Sequence, residues 1–424
     1  MGETDVVGQS YLARDASQIL GSADLDTRNT ALRAMADALL EHEDTILAAN
    51  QNDIDAARAD GTNENLIDRL MLDHDRLVDI AEALRELADL PDVLGEIVDE
   101  RTIVDGIRMK QVRVPLGVVG MIYEARPNVT CDAAGIGVKT GNAMLLRGGS
   151  LARRSNAAII DVLQGSLIKS GLPAQSVQAI DASDRSTATE MMGMRGLIDL
   201  LIPRGGAGLI ASVVENSKVP VIETGIGNCH IYVEKTADLD MARAIVINAK
   251  CQRPSVCNAA ESLLIDREIA ENVLTILVPA LVEKGVALAV DPRYIEFAKA
   301  QTSSDAMVRE ATEEDYGTEY LDLMMSVKIV EDVREAVDHI NEFGSNHSEA
   351  IVTTDENAAD YFTTHVDAAA VYVNASTRFT DGGLFGMGAE IGISTQKMHA
   401  RGPFALKALT STKFICHGAG QTRS

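Results

Sequence analysis

The sequence predicts an α/β protein built on parallel sheets, and three observations carry that expectation. Short apolar runs at 117–122, 143–146, 177–180, 197–202, 219–222, 231–233, 262–265, 327–330, 350–352 and 370–373 are continuous rather than alternating, as strands buried on both faces are. Stretches of helical period lie between them, at 155–170, 185–194, 239–251, 268–284 and 332–342, so strand and helix alternate along the chain. The chain has 424 residues, 46% hydrophobic and 24% charged, which is enough for two or three domains with buried cores.

The opening is helical: from Tyr11 to Leu90 apolar residues recur at helical spacing, as in Ala31, Leu32, Met35, Leu39 and Leu40, with acidic residues between them. Near Ile103 the period changes to two. Ile103, Ile107, Met109, Gln111 and Arg113 alternate around Asp105-Gly106, a tight-turn dipeptide, so a hairpin is expected over 102–115. The buried runs and their helices then follow to the C-terminus without a fixed repeat or a linker-like stretch.

Lys+Arg 38 against Asp+Glu 63 gives a net charge of −25, which repels phosphate backbones and anionic lipid. Nucleic acid and membranes are not expected partners. The first ten residues lack the basic and apolar regions of a signal peptide, and no uncharged run reaches the roughly 18 residues of a spanning helix. A cytoplasmic location is expected. Cys131, Cys229, Cys251, Cys257 and Cys416 are odd in number and show no CxxC spacing, so free thiols are expected. The histidines show no HExxH, and no metal is expected.

Two glycine-rich turns follow expected strands, Arg147-Gly148-Gly149-Ser150 and Arg204-Gly205-Gly206-Ala207-Gly208. Glycine lets a backbone approach a phosphate, and the next helix adds N–H donors. Each turn alone is a weak signal and reads better as an ordinary strand-to-helix connection. Together, each beside an arginine, they point to a phosphorylated cofactor. Cys257 sits at a polar helix-to-strand turn with Arg253 nearby, a setting suited to a thiolate, although any single cysteine more often plays a structural part; Cys131 and Cys251 read as small buried residues. Tyr123-Glu124-Ala125-Arg126-Pro127-Asn128 ends a buried strand, at the edge where open α/β sheets place ligands. There Asn128 can donate to an oxyanion and Arg126 can meet a carboxylate or phosphate, or both can be plain turn residues. Glu223 also follows an expected strand, as a general base or a solvated carboxylate, and His399 lies in a loop.

Taken in order, Val114-Pro115-Leu116-Gly117-Val118-Val119-Gly120, residues 123–129, Lys139-Thr140-Gly141-Asn142, and residues 145–149, 202–208, 252–258 and 372–383 form a recognisable set. They resemble the γ-glutamyl phosphate reductase (glutamate-5-semialdehyde dehydrogenase) family of the aldehyde dehydrogenase superfamily over nearly the whole chain, His230-Ile231-Tyr232-Val233 included. The resemblance implies an aldehyde dehydrogenase-like fold: two Rossmann-like parallel-sheet domains with a protruding oligomerisation hairpin. It divides the chain into an NADP-binding domain over 1–100 and 116–225, a catalytic domain over 226–392, and an oligomerisation arm over 101–115 and 405–424. In the arm the hairpin pairs with C-terminal residues such as 412–415, and a homo-oligomer is implied.

By similarity, the Cys257 thiolate attacks the acyl carbon of L-glutamyl 5-phosphate and phosphate leaves. NADPH delivers hydride to the thioester, and the thiohemiacetal collapses to L-glutamate 5-semialdehyde, a step of L-proline biosynthesis. Asn128 and the Cys257 N–H would stabilise the oxyanion. The resemblance assigns Arg147, Gly148, Gly149, Ser150, Gly205 and Gly206 to the cofactor, and Glu319 resembles the glutamate on the nicotinamide ribose. NADP is favoured over NAD, because the place of the glutamate that often holds the ribose 2′-hydroxyl looks like Ser150, with Arg147 nearby.

Arg126, Arg253 and Arg378 lie in segments that the resemblance brings to the active-site side, as candidates for the substrate's carboxylate or phosphate. Glu223 aligns with the superfamily's water-activating base, for which acyl-phosphate reduction has no use. No kinase domain is recognisable, so a glutamate 5-kinase is an implied partner. Three rivals stand beside this reading: a semialdehyde-oxidising relative in which Glu223 matters, a cysteine hydrolase or acyltransferase, and a nucleotide-binding module without turnover.

Overall fold

The computed structural model describes residues 5–124 and 126–423; residues 1–4 of the expected first domain, Ala125 and Ser424 lie outside them. The chain divides into two compact units. One comprises Met1–Thr224, Met387–Gly392 and Phe404–Ser424, the other Gly225–Gly386 and Ile393–Pro403.

The first unit opens with the helices Val6–Ser22, Leu25–Glu41, Glu43–Ala59, Glu64–Leu70 and His74–Asp89. Asp5, Asp24, Asn63 and Asp73 start four of them, each accepting a backbone N–H three residues on. The expected hairpin follows with a longer first arm, because β1 begins at Ile97: β1 is Ile97–Thr102 and β2 is Arg108–Pro115, antiparallel. Asp105 and Gly106 turn it with φ of 60° and 78°. The C-terminal strand Thr410–His417 pairs with the other side of β2, Thr412 opposite Arg113 and Ile415 opposite Lys110.

A four-stranded parallel sheet comes next, from β3 (Val118–Tyr123), β4 (Ala143–Arg147), β5 (Val177–Ala179) and β6 (Leu200–Arg204), in the order β5-β4-β3-β6. The strand order reverses between β3 and β6, and the crevice outside the carboxyl ends of such strands is where α/β sheets take ligands. Residues 219–222, expected as a strand, form only a single bridge, Val221 with Leu201. Leu201 donates to the Pro220 carbonyl, but Pro220 has no N–H with which to continue a ladder.

The second unit holds one seven-stranded parallel sheet. Its strands are β7 (Cys229–Val233), β8 (Ala260–Asp266), β9 (Ala287–Val290), β10 (Val308–Glu310), β11 (Met324–Val330), β12 (Ser348–Val352) and β13 (Ala370–Val373), in the order β10-β9-β11-β8-β7-β12-β13. Every residue of β3, β7, β8 and β12 is buried, as continuous apolar runs require. The strands β9 and β10 were not expected. Ala287–Val290 reads as a continuation of the apolar helix Ala270–Glu283, and Val308–Glu310 is a short edge strand with two exposed residues. Among the described residues no helix is long and apolar enough to cross a membrane.

Candidate active site

In the first unit the expected cofactor residues gather at the carboxyl edge of the four-stranded sheet. After β3 the chain enters helix Pro127–Lys139 with proline in its first turn, where a missing N–H costs nothing. Arg126 and Asn128 are exposed there. The Asn128 amide donates to Asp132 Oδ2 at 3.4 Å, and burial pushes the Asp132 carboxyl up to about 6 against the pull of Arg204 and Asn128.

After β4 comes Gly148, where a Cβ would lie 2.1 Å from Asn156 Nδ2 and 3.2 Å from the Tyr123 ring. Thr130 holds both neighbours, donating to Asn156 Oδ1 at 2.9 Å and lying 2.6 Å from Tyr123 Oη. The close packing strains any side chain larger than glycine's and leaves the turn bare. Arg147 donates to the Asp184 carbonyl at 3.2 Å, while its buried Nε has no hydrogen-bond partner. Burial first, and then the like charge of Arg185, push the Arg147 guanidinium below its ordinary range. Ser150 is exposed at the start of the next turn.

After β6, a Cβ on Gly205 would lie 2.7 Å from Glu124 Cδ, and the Gly206 N–H donates to Glu124 Oε1 at 3.1 Å. An anionic oxygen is thus already accommodated at the start of helix Ala207–Asn216. Glu223 is half-buried just beyond Ile222.

In the second unit Cys257 lies between helix Leu239–Cys251 and β8, at the amino edge of the seven-stranded sheet. It is half-buried, and its backbone is gripped from several sides. Its carbonyl accepts the Cys229 thiol at 3.2 Å, and a Cβ on Gly227 would fall 1.5 Å from that carbonyl oxygen, so only glycine fits. The next residue, Asn258, donates to the Thr380 carbonyl at 2.8 Å, and Thr377 Oγ1 donates to the Asn258 carbonyl at 2.7 Å.

These bonds tie the loop carrying Arg378 to the cysteine segment. Arg378 Nε donates to Gln252 Oε1 at 3.1 Å. Burial and the like charge of Arg253 push Arg378 below its ordinary range, while negative charge at Cys257 favours its cation. Arg253, Cys257 and Arg378 therefore form one cluster. Glu319 is half-buried and accepts the Gly227 N–H at 2.6 Å; burial raises its carboxyl, opposed by that bond and by Lys250.

The chain's residues 2–297 match the aldehyde dehydrogenase family model. The γ-glutamyl phosphate reductase of Heliobacterium modesticaldum is 54% identical over 97% of each chain, and that of Clostridium beijerinckii 52% identical over the whole of both. The chain belongs to the aldehyde dehydrogenase family. The crystal structure of the Thermotoga maritima γ-glutamyl phosphate reductase superposes with a TM-score of 0.96 at 44% identity, covering 99% of this chain and 100% of that one. A propionaldehyde dehydrogenase of Rhodopseudomonas palustris, 15% identical with a TM-score of 0.68 over 97% and 96%, shares the fold.

Other expected residues of this aldehyde dehydrogenase serve the framework. Buried Lys139 donates to the carbonyls of Ala88 and Leu90 at 3.0 and 2.6 Å, and Asn142 binds the Gly117 N–H and the Leu409 carbonyl. All five cysteines are free, with Cys131 and Cys229 buried, and His399 is exposed. Cys251, expected to be buried, is half-exposed because it ends its helix. Among the described residues no group of three or more His, Cys, Asp or Glu is arranged to hold a metal. Sequence reasoning passed over Arg185, Asp132, Lys250 and Glu261. An arginine just before the helix after β5 and a glutamate inside the apolar run of β8 were the available signals.

Proposed function

We propose that this protein reduces L-glutamyl 5-phosphate to L-glutamate 5-semialdehyde and phosphate with NADPH, through a Cys257 thioester, in L-proline biosynthesis. The observation that carries the reading is the cluster of Cys257 with Arg253 and Arg378 in a chain similar to γ-glutamyl phosphate reductases over its full length. A guanidinium, that of Arg378, within electrostatic reach of both the Cys257 thiol and a second arginine suits a substrate with an anionic acyl phosphate and a carboxylate.

The first unit's residues fit a dinucleotide. Arg147 has a buried Nε without a partner, Gly148 leaves a turn free of side chain, and Gly205 and Gly206 open a helix that accepts an anionic oxygen. Arg147, Gly148, Gly149, Ser150, Gly205 and Gly206 would hold NADP, Arg147 and Ser150 its 2′-phosphate, and Glu319 the nicotinamide ribose. When bound, NADPH supplies the hydride that turns the thioester into a thiohemiacetal.

The remaining steps belong to the chain. The Cys257 thiolate forms the C–S bond while the carbon–oxygen bond to phosphate breaks, and Arg253 and Arg378 neutralise the departing phosphate. The Cys257 N–H and Asn128 donate to the oxyanion, and Arg126 is a third candidate, with Arg253 and Arg378, for the substrate's carboxylate or phosphate. Breaking the C–S bond then releases the semialdehyde and restores the thiolate. In this reading 1–100 and 116–225 form the cofactor domain, 226–392 the catalytic domain, and 101–115 with 405–424 the arm of a cytoplasmic homo-oligomer that receives its substrate from a glutamate 5-kinase.

The test is the reverse reaction: glutamate 5-semialdehyde, NADP and phosphate should yield NADPH in a phosphate-dependent assay. NADPH formation that proceeds equally without phosphate would replace this reading with semialdehyde oxidation to the acid.

A further inference from the structure

Lys250 and Glu261, which flank Cys257 in the chain, form an ion pair that the chemistry above does not use. Lys250 Nζ and Glu261 Oε2 are 2.6 Å apart, with both side chains 0% exposed. Burying two charges costs several kcal/mol each, and an apolar pair of similar volume is often as stable, so the pair needs a reason beyond stability. Its surroundings supply one.

The other oxygen of Glu261, Oε1, accepts the N–H of Leu321 at 3.3 Å. Leu321 has φ of 54°, a left-handed conformation that strains a leucine and that it keeps only when its neighbours impose it. Two residues earlier stands Glu319, which accepts the Gly227 N–H, and Gly227 packs against the Cys257 carbonyl with no room for a Cβ. Between them Tyr320 donates to Asp315 Oδ1 at 2.8 Å, a carboxylate also paired with Arg309. The segment 319–321 is thus pinned on both sides, by Asp315 at Tyr320 and by Glu261 at Leu321.

We propose that the Lys250–Glu261 pair is a positioning device: Glu261 holds Leu321 in its left-handed turn so that Glu319 meets the cofactor, and Lys250 keeps Glu261 ionised to do so. Lys250 stands at the end of the helix that leads to Cys257 and Glu261 four residues after it, so the pair ties the Glu319 turn to the segment of the nucleophile. Burial drives the two groups toward neutrality, Glu261 up to about 7 and Lys250 down, and each opposes the shift of the other. The charge of Lys250 also favours ionised Glu319. The inference rests on reading Glu319 as a cofactor contact.

The test compares Glu261→Gln, Glu319→Gln and the double variant, with Lys250→Met/Glu261→Leu as an apolar replacement that preserves packing. Melting temperature, NADPH kcat and KM, and the rate of Cys257 alkylation by iodoacetamide are measured at a temperature where every variant is folded. Glu261→Gln should lower kcat/KM for NADPH about tenfold and leave alkylation unchanged. In the Glu319→Gln background the same substitution should have no further effect, and the apolar pair should stay folded yet show the same tenfold loss. Independent, multiplying losses in the double variant would overturn the proposal, as would wild-type kinetics in the apolar pair. If Glu319→Gln is impaired and Glu261→Gln is not, the positioning role alone fails. Wild-type NADPH kinetics in Glu319→Gln would remove the cofactor reading of Glu319 and the proposal with it.

Discussion

The two parallel sheets use opposite edges. In the first unit the candidate residues follow β3, β4 and β6, whereas in the second Gly227, Cys257 and Glu319 precede β7, β8 and β11. Helix capping explains the division. In the second unit Asp238, Asp332 and Asp355 cap the helices after β7, β11 and β12 with their own side chains, and Asp266 caps the short helix after β8. Their carboxylates take the N–H groups that an anionic ligand would need. In the first unit Arg126, Ala152, Arg185 and Gly206 start the helices after the strands, and none gives a side-chain cap. Asp53 and Asp184 take up N–H groups at the second and third helices. The helices after β3 and β6 have no side-chain cap at all: Val129 and Leu209 donate back to the carbonyls of Arg126 and Gly206, and the Gly206 N–H donates to Glu124. One edge lacks N-cap side chains at its helices, and its counterpart in the other sheet is capped by the chain's own acids.

The largest effect should separate the two units completely. Cys257→Ser should lower turnover on the order of 10⁴-fold or more, since a covalent nucleophile is lost, with NADPH affinity unchanged by fluorescence titration. Loss of NADPH binding in that variant would mean that the division of labour is wrong. Next in size, Arg378→Ala should lower kcat/KM for glutamate 5-semialdehyde roughly ten- to a hundredfold, the worth of a charge-assisted contact of about 1.5–3 kcal/mol. Arg253→Ala should act in the same direction, again without moving the NADPH dissociation constant.

Capping the first unit's edge is the complementary experiment. Gly206→Asp places at β6 the cap that the second unit uses, and the position allows it, since a Cβ meets only Glu124 Oε1 at 3.6 Å. NADPH affinity should fall about tenfold through like-charge repulsion while the melting temperature holds. Arg147→Ala should weaken NADPH by a similar factor and NADH hardly at all, because only NADPH carries the phosphate for a guanidinium to bind. Equal losses for the two cofactors would make Arg147 a general adenosine contact.

What was legible in the sequence follows from the range of the forces involved. The hairpin turn, the buried strands and the helices of the second unit are written in neighbouring residues, and even Asp332 and Asp355 stand where caps belong. The strand expected at 219–222 failed because an apolar run does not reveal whether Pro220 leaves a ladder to extend. Arg185 beside Arg147 and Glu261 beneath Leu321 depend on contacts between distant segments, for which no local spacing exists. Cys257 was legible as a polar turn, yet its place at the amino edge runs against the rule that directs attention to carboxyl ends.

The smallest effect tests whether the glycines of the first unit matter by position or by composition. Gly148 and Gly165 lie in the same unit, and a Cβ on Gly165, within helix Arg153–Lys169, meets nothing within 4 Å. Alanine there should therefore relieve only the entropic penalty of a glycine in a helix and stabilise the protein by about 0.5–1 kcal/mol, with turnover unaltered. Gly148→Ala drives a methyl into Asn156 and strains the bonds that Thr130 makes to Asn156 and Tyr123, at a cost of about 1–3 kcal/mol. Denaturant unfolding of the two variants measures both signs. If Gly148→Ala were as well tolerated as Gly165→Ala, the turn after β4 would have slack, and the close approach of backbone to phosphate would lose its structural basis.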